Sequence, residues 1–135
     1  MKTIIKSIIA LILCSFILSN CNKYVDGPKV SFRSKKARLV GDWKVEKYTE
    51  NGVSKSFNSD YVLHIKKGGS YNIVAGSYSD EGTYEVGEDG DDIIFTSTAP
   101  NTIKQSYRIL RLKNKEMWWK QTQPNGDVFQ TNMKQ

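Results

Sequence analysis

Few side chains in this chain could do chemistry, and their spacing limits what that chemistry could be. There is one histidine, His64, and there are two cysteines, Cys14 and Cys21. His64 sits between Leu63 and Ile65 on the polar side of an alternating segment. An imidazole there is far more often a solvated side chain than a catalytic base. Serines and carboxylates are plentiful, but none is spaced as a nucleophile beside a base, and no G-x-S-x-G or glycine-rich phosphate loop occurs. Asp80, Glu81, Glu85, Glu88, Asp89, Asp91 and Asp92 crowd one stretch. Oxygen-rich turns can hold Ca²⁺, yet these lack the D-x-D-x-D-G…E spacing that supplies enough ligands. The sequence therefore predicts a non-enzymatic protein with no cofactor and no metal. It reads the acids as one solvated end of the fold.

The cysteines carry a different chemistry. Cys14 lies within the apolar run Ile8 to Leu18, which follows Lys2 and Lys6. That run is about half of the ~20 residues a membrane-spanning helix needs, so residues 1–20 read as a cleaved secretory signal. An uncleaved N-terminal anchor is the competing reading. Leu18-Ser19-Asn20-Cys21 then resembles a lipobox, the site at which bacterial lipoprotein precursors are lipidated on Cys and cut just before it. The family prefers Gly, Ala or Ser where this chain has Asn20. No A-x-A site for ordinary cleavage lies nearby. Cleavage before Cys21 leaves one cysteine, which excludes an intramolecular disulfide in a compartment that would permit one. The resemblance implies a lipid on Cys21, attachment to the cell envelope and, with Asn22 rather than Asp at the next position, the outer membrane.

Charge separates a tether from a domain. The whole chain carries +6. Lys23, Lys29, Arg33, Lys35, Lys36 and Arg38 face only Asp26 between residues 22 and 38, so residues 39–135 sum to about −1. Residues 21–37 read as a basic tether, either a contact with an anionic membrane surface worth ~1 kcal/mol per basic residue or a soluble linker. The near-neutral domain gives no footprint for nucleic acid.

Residues 38–135 read as the element that would position any site. Ser31 is a candidate N-cap for one or two helical turns over 32–39. From Gly41 onward, short runs rich in Val, Ile, Tyr, Thr, Phe and Trp alternate with turn residues. Strands are expected at about 41–49, 60–67, 70–76, 82–87, 91–98, 103–113, 116–122 and 127–134. Asn51-Gly52, Lys67-Gly68-Gly69, Gly87–Gly90 and Pro124–Asp127 form the joints. Period-two alternation puts Trp43, Val45 and Lys47 on one face, and groups Tyr61 with Leu63 and Ile65. Tyr107 and Ile109 fall out of phase with Leu110 and Leu112, which predicts a bulge. Eight sequential antiparallel strands close into an all-β up-and-down barrel without exposed edges; a two-sheet sandwich is the alternative.

Gly41-Asp42-Trp43 opens the first strand, Gly82-Thr83-Tyr84 stands in mid-chain, and a late hairpin runs from Arg111-Leu112 through Asn114 to Met117-Trp118-Trp119. Together these resemble the small lipocalin-like lipoproteins of Gram-negative bacteria, over about Arg38 to Met133. The resemblance implies a lipocalin-like barrel that could carry a small apolar ligand. Lipocalins often lay an Arg of the last strand over the Trp; here Lys134, Arg108 and Arg111 are the counterparts to consider. Trp43, Tyr61, Tyr71, Tyr84, Phe95, Tyr107 and one of Trp118 or Trp119, with Trp118 the nominee, are the candidate core or ligand-facing residues. So many rings in short strands favour a filled or nearly filled interior over a pocket. Two partners follow: a small apolar ligand held inside the barrel, or an envelope protein that grips the 76–92 turns of a packed one.

Overall fold

In a computed structural model of the chain, residues 34–98 and 101–135 are described. The signal segment, Cys21 and most of the tether lie outside them. The described chain begins with a short helix, α1 (Lys35–Leu39). Ser34 caps it, accepting a hydrogen bond from the Ala37 amide at 3.2 Å, three residues beyond the Ser31 expected from sequence. Nine strands follow: β1 (Gly41–Glu50), β2 (Val53–Ser54), β3 (Val62–Ile65), β4 (Ser70–Ala75), β5 (Tyr78–Val86), β6 (Asp92–Ser97), β7 (Lys104–Leu112), β8 (Glu116–Thr122) and β9 (Val128–Lys134).

Consecutive strands from β3 to β9 pair antiparallel, β1 pairs with β3, and β1 also pairs with β9. Eight strands thereby close into an up-and-down barrel, as the meander pattern predicts. The ninth is the two-residue β2, which folds back on the end of β1 through the Asn51-Gly52 turn. Thirteen apolar side chains, from Leu39 to Met133, form one buried cluster inside it.

Two bulges set which side chains point inward. The expected one is present as a register shift between Ile109 and Arg111, and it keeps both Ile109 and Leu112 buried. A second, in β1, shifts register between Val45 and Lys47, so Glu46 is the extra residue. Lys47 is therefore exposed instead of sharing the Trp43 face, and Tyr48 turns inward in its place.

The acids do not form one end of the fold. Strands alternate in direction, so Asp80 in early β5 lies toward one end of the barrel and the 87–91 turn lies at the other. That second end is the one α1 occupies: Lys35 Nζ donates to the Gly90 carbonyl at 3.3 Å and lies 3.7 Å from the Asp91 carboxylate. The basic entry and an acidic turn attract each other and meet, which corrects the reading of the acids as one solvated end. Lys35 and Arg38 of the basic stretch are thus engaged by the barrel itself.

Candidate functional site

The two ends of the barrel differ in what their inward residues are. At the end plugged by α1, Leu39, Trp43, Leu63, Ile93, Leu112, Met117 and Met133 are fully buried. Trp43 Nε1 donates to the Leu39 carbonyl at 2.7 Å, which satisfies the indole inside an apolar core. Arg38, buried one residue before Leu39, donates from Nη1 to the Leu112 carbonyl at 2.7 Å. The guanidinium of this end therefore comes from α1. Lys134 pairs with Glu46, Arg108 with Asp91, and Arg111 lies 4.0 Å over the Trp118 ring.

The opposite end is open. A cavity of about 370 Å³ enters the barrel there, walled by Tyr48, Tyr61, Tyr107, Trp119 and Phe129 with Gln121 and Thr131 among them. Beside it lies a second of about 280 Å³, bounded by Tyr71, Tyr78, Asp80, Phe95, Ser97 and Gln105. A column of rings stands between the two. Tyr107 stacks on Trp119 at 4.6 Å, and Phe95 meets Tyr71, Tyr107 and Trp119 edge-on at 4.8, 5.8 and 5.7 Å. The exposed large apolar side chains, Val53, Phe57, Val74, Tyr78 and Ile103, all sit on the strand ends and loops around this mouth.

Of the candidates from sequence, Tyr61, Tyr71, Phe95 and Tyr107 meet at this mouth. Trp43 and Tyr84 belong to the plugged half, where the Tyr84 hydroxyl donates to the Lys66 carbonyl at 3.1 Å. In the Trp118-Trp119 pair the interior belongs to Trp119, which is 4% exposed, whereas Trp118 faces outward under Arg111. The rings pack against one another yet leave the mouth unfilled.

Sequence reasoning missed Tyr48, Phe129 and Asp80. Tyr48 is inward only because of the β1 bulge, which no pattern in the sequence announces. Asp80 is different. Running the alternation backward from Tyr84 puts Gly82, Asp80 and Tyr78 on the inner face, but Ser79-Asp80-Glu81 reads as turn.

Electrostatics keep the mouth phenols protonated. Burial raises the Tyr61, Tyr71 and Tyr107 hydroxyls, that of Tyr107 to about 12, and the negative charge of Asp80 adds to each. The Tyr71 hydroxyl also donates to Asp80 Oδ2 at 2.8 Å. Phenols held neutral can donate and accept, so the mouth offers apolar faces with polar tips. No group of three or more His, Cys, Asp or Glu that could hold a metal occurs among the described residues.

Comparison with known proteins supports the architecture alone. No protein-family model matches the chain, and no curated protein sequence does. A crystal structure of an uncharacterized protein from Bacteroides eggerthii is similar, with a TM-score of 0.55 and 16% sequence identity. The match covers 71% of this chain and 98% of that one, so the two share a fold.

Proposed function

We propose that this chain is an exported lipoprotein, anchored through a lipid on Cys21 to the outer membrane, whose lipocalin-like barrel binds a small, mainly apolar ligand at its open mouth. One observation carries the binding half: a cavity of about 370 Å³ walled by six aromatic rings, with exposed apolar side chains around its mouth. Small-molecule sites are concave and mostly apolar, with a few polar groups that fix orientation. The anchor half rests on the Leu18–Cys21 motif after a short apolar run. Chain entry fits it. The described chain enters the barrel at the plugged end through α1, opposite the mouth.

A protein partner gripping both turns of the 76–92 segment fits the geometry less well, because those turns stand at opposite ends of β5. A partner at the mouth rim would compete with the ligand.

Native mass spectrometry of residues 22–135, before and after organic extraction, tests the binding half. An extractable extra mass of a few hundred daltons is expected, consistent with the cavity size. A bare mass, together with no uptake of apolar probes, refutes it. Palmitate labelling of cells carrying the chain or its Cys21→Ser variant tests the anchor: the label is expected on the first and absent from the second.

A further inference from the structure

Among the described residues, Asp80 is the only charged side chain that lines either cavity at the mouth. It shares the inner face of β5 with Tyr78, Gly82 and Tyr84, and it is partly buried. Five of the seven tyrosines of the chain, Tyr48, Tyr61, Tyr71, Tyr78 and Tyr107, line the same two cavities. Asp42, Glu46, Glu50, Asp91 and Glu116 each have a basic partner within 4.0 Å, but Asp80 has none among the described residues. Its hydrogen bond from Tyr71 occupies Oδ2 alone.

A carboxylate facing a ring-lined space loses hydration without gaining a counter-charge, and a cation entering that space would supply one. The faces of tyrosine rings attract cations as well. An anion would meet Asp80 and find no basic side chain lining the mouth. A hard metal ion would find one carboxylate where six or more oxygens are wanted.

We propose that the mouth selects ligands that carry an organic cation, an ammonium or guanidinium on an apolar body, with Asp80 as the counter-charge and the tyrosine rings as walls. This rests on the mouth being a ligand site, as proposed above. The apolar body lies against Phe95, Tyr71 and Tyr78, which line the same cavity as Asp80, and the cation reaches the free oxygen of Asp80. The phenols around it orient the head group by donating to or accepting from it.

Titration calorimetry on residues 22–135, which hold the buried cluster of the described residues, tests this with three probes of similar shape: 1-naphthylmethylammonium, 1-naphthylmethanol and 1-naphthaleneacetate. The ammonium is expected to bind about tenfold or more tighter than the alcohol, as one charge-assisted hydrogen bond predicts, with the acetate weakest. In Asp80→Asn the ammonium should fall to the affinity of the alcohol, while the alcohol, which reports an intact cavity, keeps its own. Should that variant not fold, the ratio in the unsubstituted chain decides. An alcohol that binds as well as the ammonium, or a preference that survives Asp80→Asn, overturns the cation inference and leaves the apolar site standing. Failure of all three probes to bind overturns both.

Discussion

Gly82 should be the least replaceable glycine of the barrel, although its backbone demands nothing unusual. Its φ lies outside the left-handed region that favours glycine, unlike those of Gly52, Gly68, Gly76 and Gly126. What excludes a side chain is β6. A Cβ built on Gly82 would stand 2.0 Å from the Thr96 carbonyl oxygen and 2.9 Å from the Ser97 Cα, where ordinary contact begins near 3.4 Å. Both obstacles are backbone, so no rotamer change relieves them. β5 and β6 must part by about an ångström across the Gly82–Ser97 pairing, or the new methyl must be accommodated by bending the strand. Overpacking of a rigid site costs ~1–3 kcal/mol and occasionally more, and the backbone clash puts Gly82→Ala near ~3 kcal/mol. For a domain of roughly 100 residues that lowers Tm by about 12–15 °C. Gly126→Ala is the contrasting control. Its φ is +91° but its Cβ would meet nothing within 4 Å, so only the left-handed strain of ~1–2 kcal/mol applies. Thermal and urea unfolding followed by circular dichroism measures both. The steric argument is refuted if Gly126→Ala is the more damaging of the two, or if Gly82→Ala unfolds within about 0.5 kcal/mol of the parent.

The neighbouring tryptophans offer a second test, since Trp119→Ala should cost ~3–5 kcal/mol as a large core truncation. Trp118→Ala, which loses an outward ring under Arg111, should cost about 1 kcal/mol. Equal losses in urea unfolding would contradict the inward assignment. Alkaline pH offers a third. The Tyr107 hydroxyl is raised from 10.0 to about 12 in the folded chain, so above pH 10 the unfolded chain gives up this proton first. That share of stability is complete below pH 10 and is lost as pH rises from there toward about 12, with Tyr61 and Tyr71 acting in the same direction. Urea midpoints should fall across this window while tyrosinate absorbance lags behind that of the denatured protein. A flat midpoint, or tyrosines that all titrate near 10, would show that the phenols are not buried as described.

The barrel was legible where one face of a strand is buried, because burial is what imposes period two. Leu63 with Ile65 and Ile93 with Phe95 alternate cleanly, and their strands lie close to where the sequence puts them. Adjacent rings hid the phase of β8, where Trp119 is buried and not the nominated Trp118. β2 was not legible: Val53 is 62% exposed, and a strand with no buried face leaves no pattern. The start of β5 was hidden for a related reason. Ser79, Asp80 and Glu81 have poor strand propensity, yet they complete the ladder from Asn72 to Val74 because the barrel would otherwise have an open seam there. The three-residue Gly82-Thr83-Tyr84 pattern gains a physical reason. Glycine admits the close approach of β6, Thr83 faces out, and Tyr84 is buried. Reading the acids as one charged end failed because proximity in sequence says nothing about which end of an antiparallel strand each residue occupies.

The composition of the inward residues fits the proposed ligand mouth better than a defect in a core. Had selection favoured packing alone, the upper layer would carry the Leu, Ile and Met of the lower one, which bury without needing polar partners. It carries Tyr48, Tyr61, Tyr71, Tyr107, Gln105, Gln121 and Thr131 instead. Each of these tolerates water against its polar tip and an apolar body against its flank. An apolar hollow of this size would stay dry and lose contact energy along its whole lining. A mouth with phenol and amide tips can hold hydrogen-bonded water when empty, and a ligand gains by displacing the poorly ordered part of it. The plugged half supplies what such a mouth requires. Trp43, Leu39 and Arg38 lock the strand ends and α1 together, so the rings at the mouth are held on rigid strands. The fully buried apolar layer lies at the plugged end, and a site open to solvent can stand at the other.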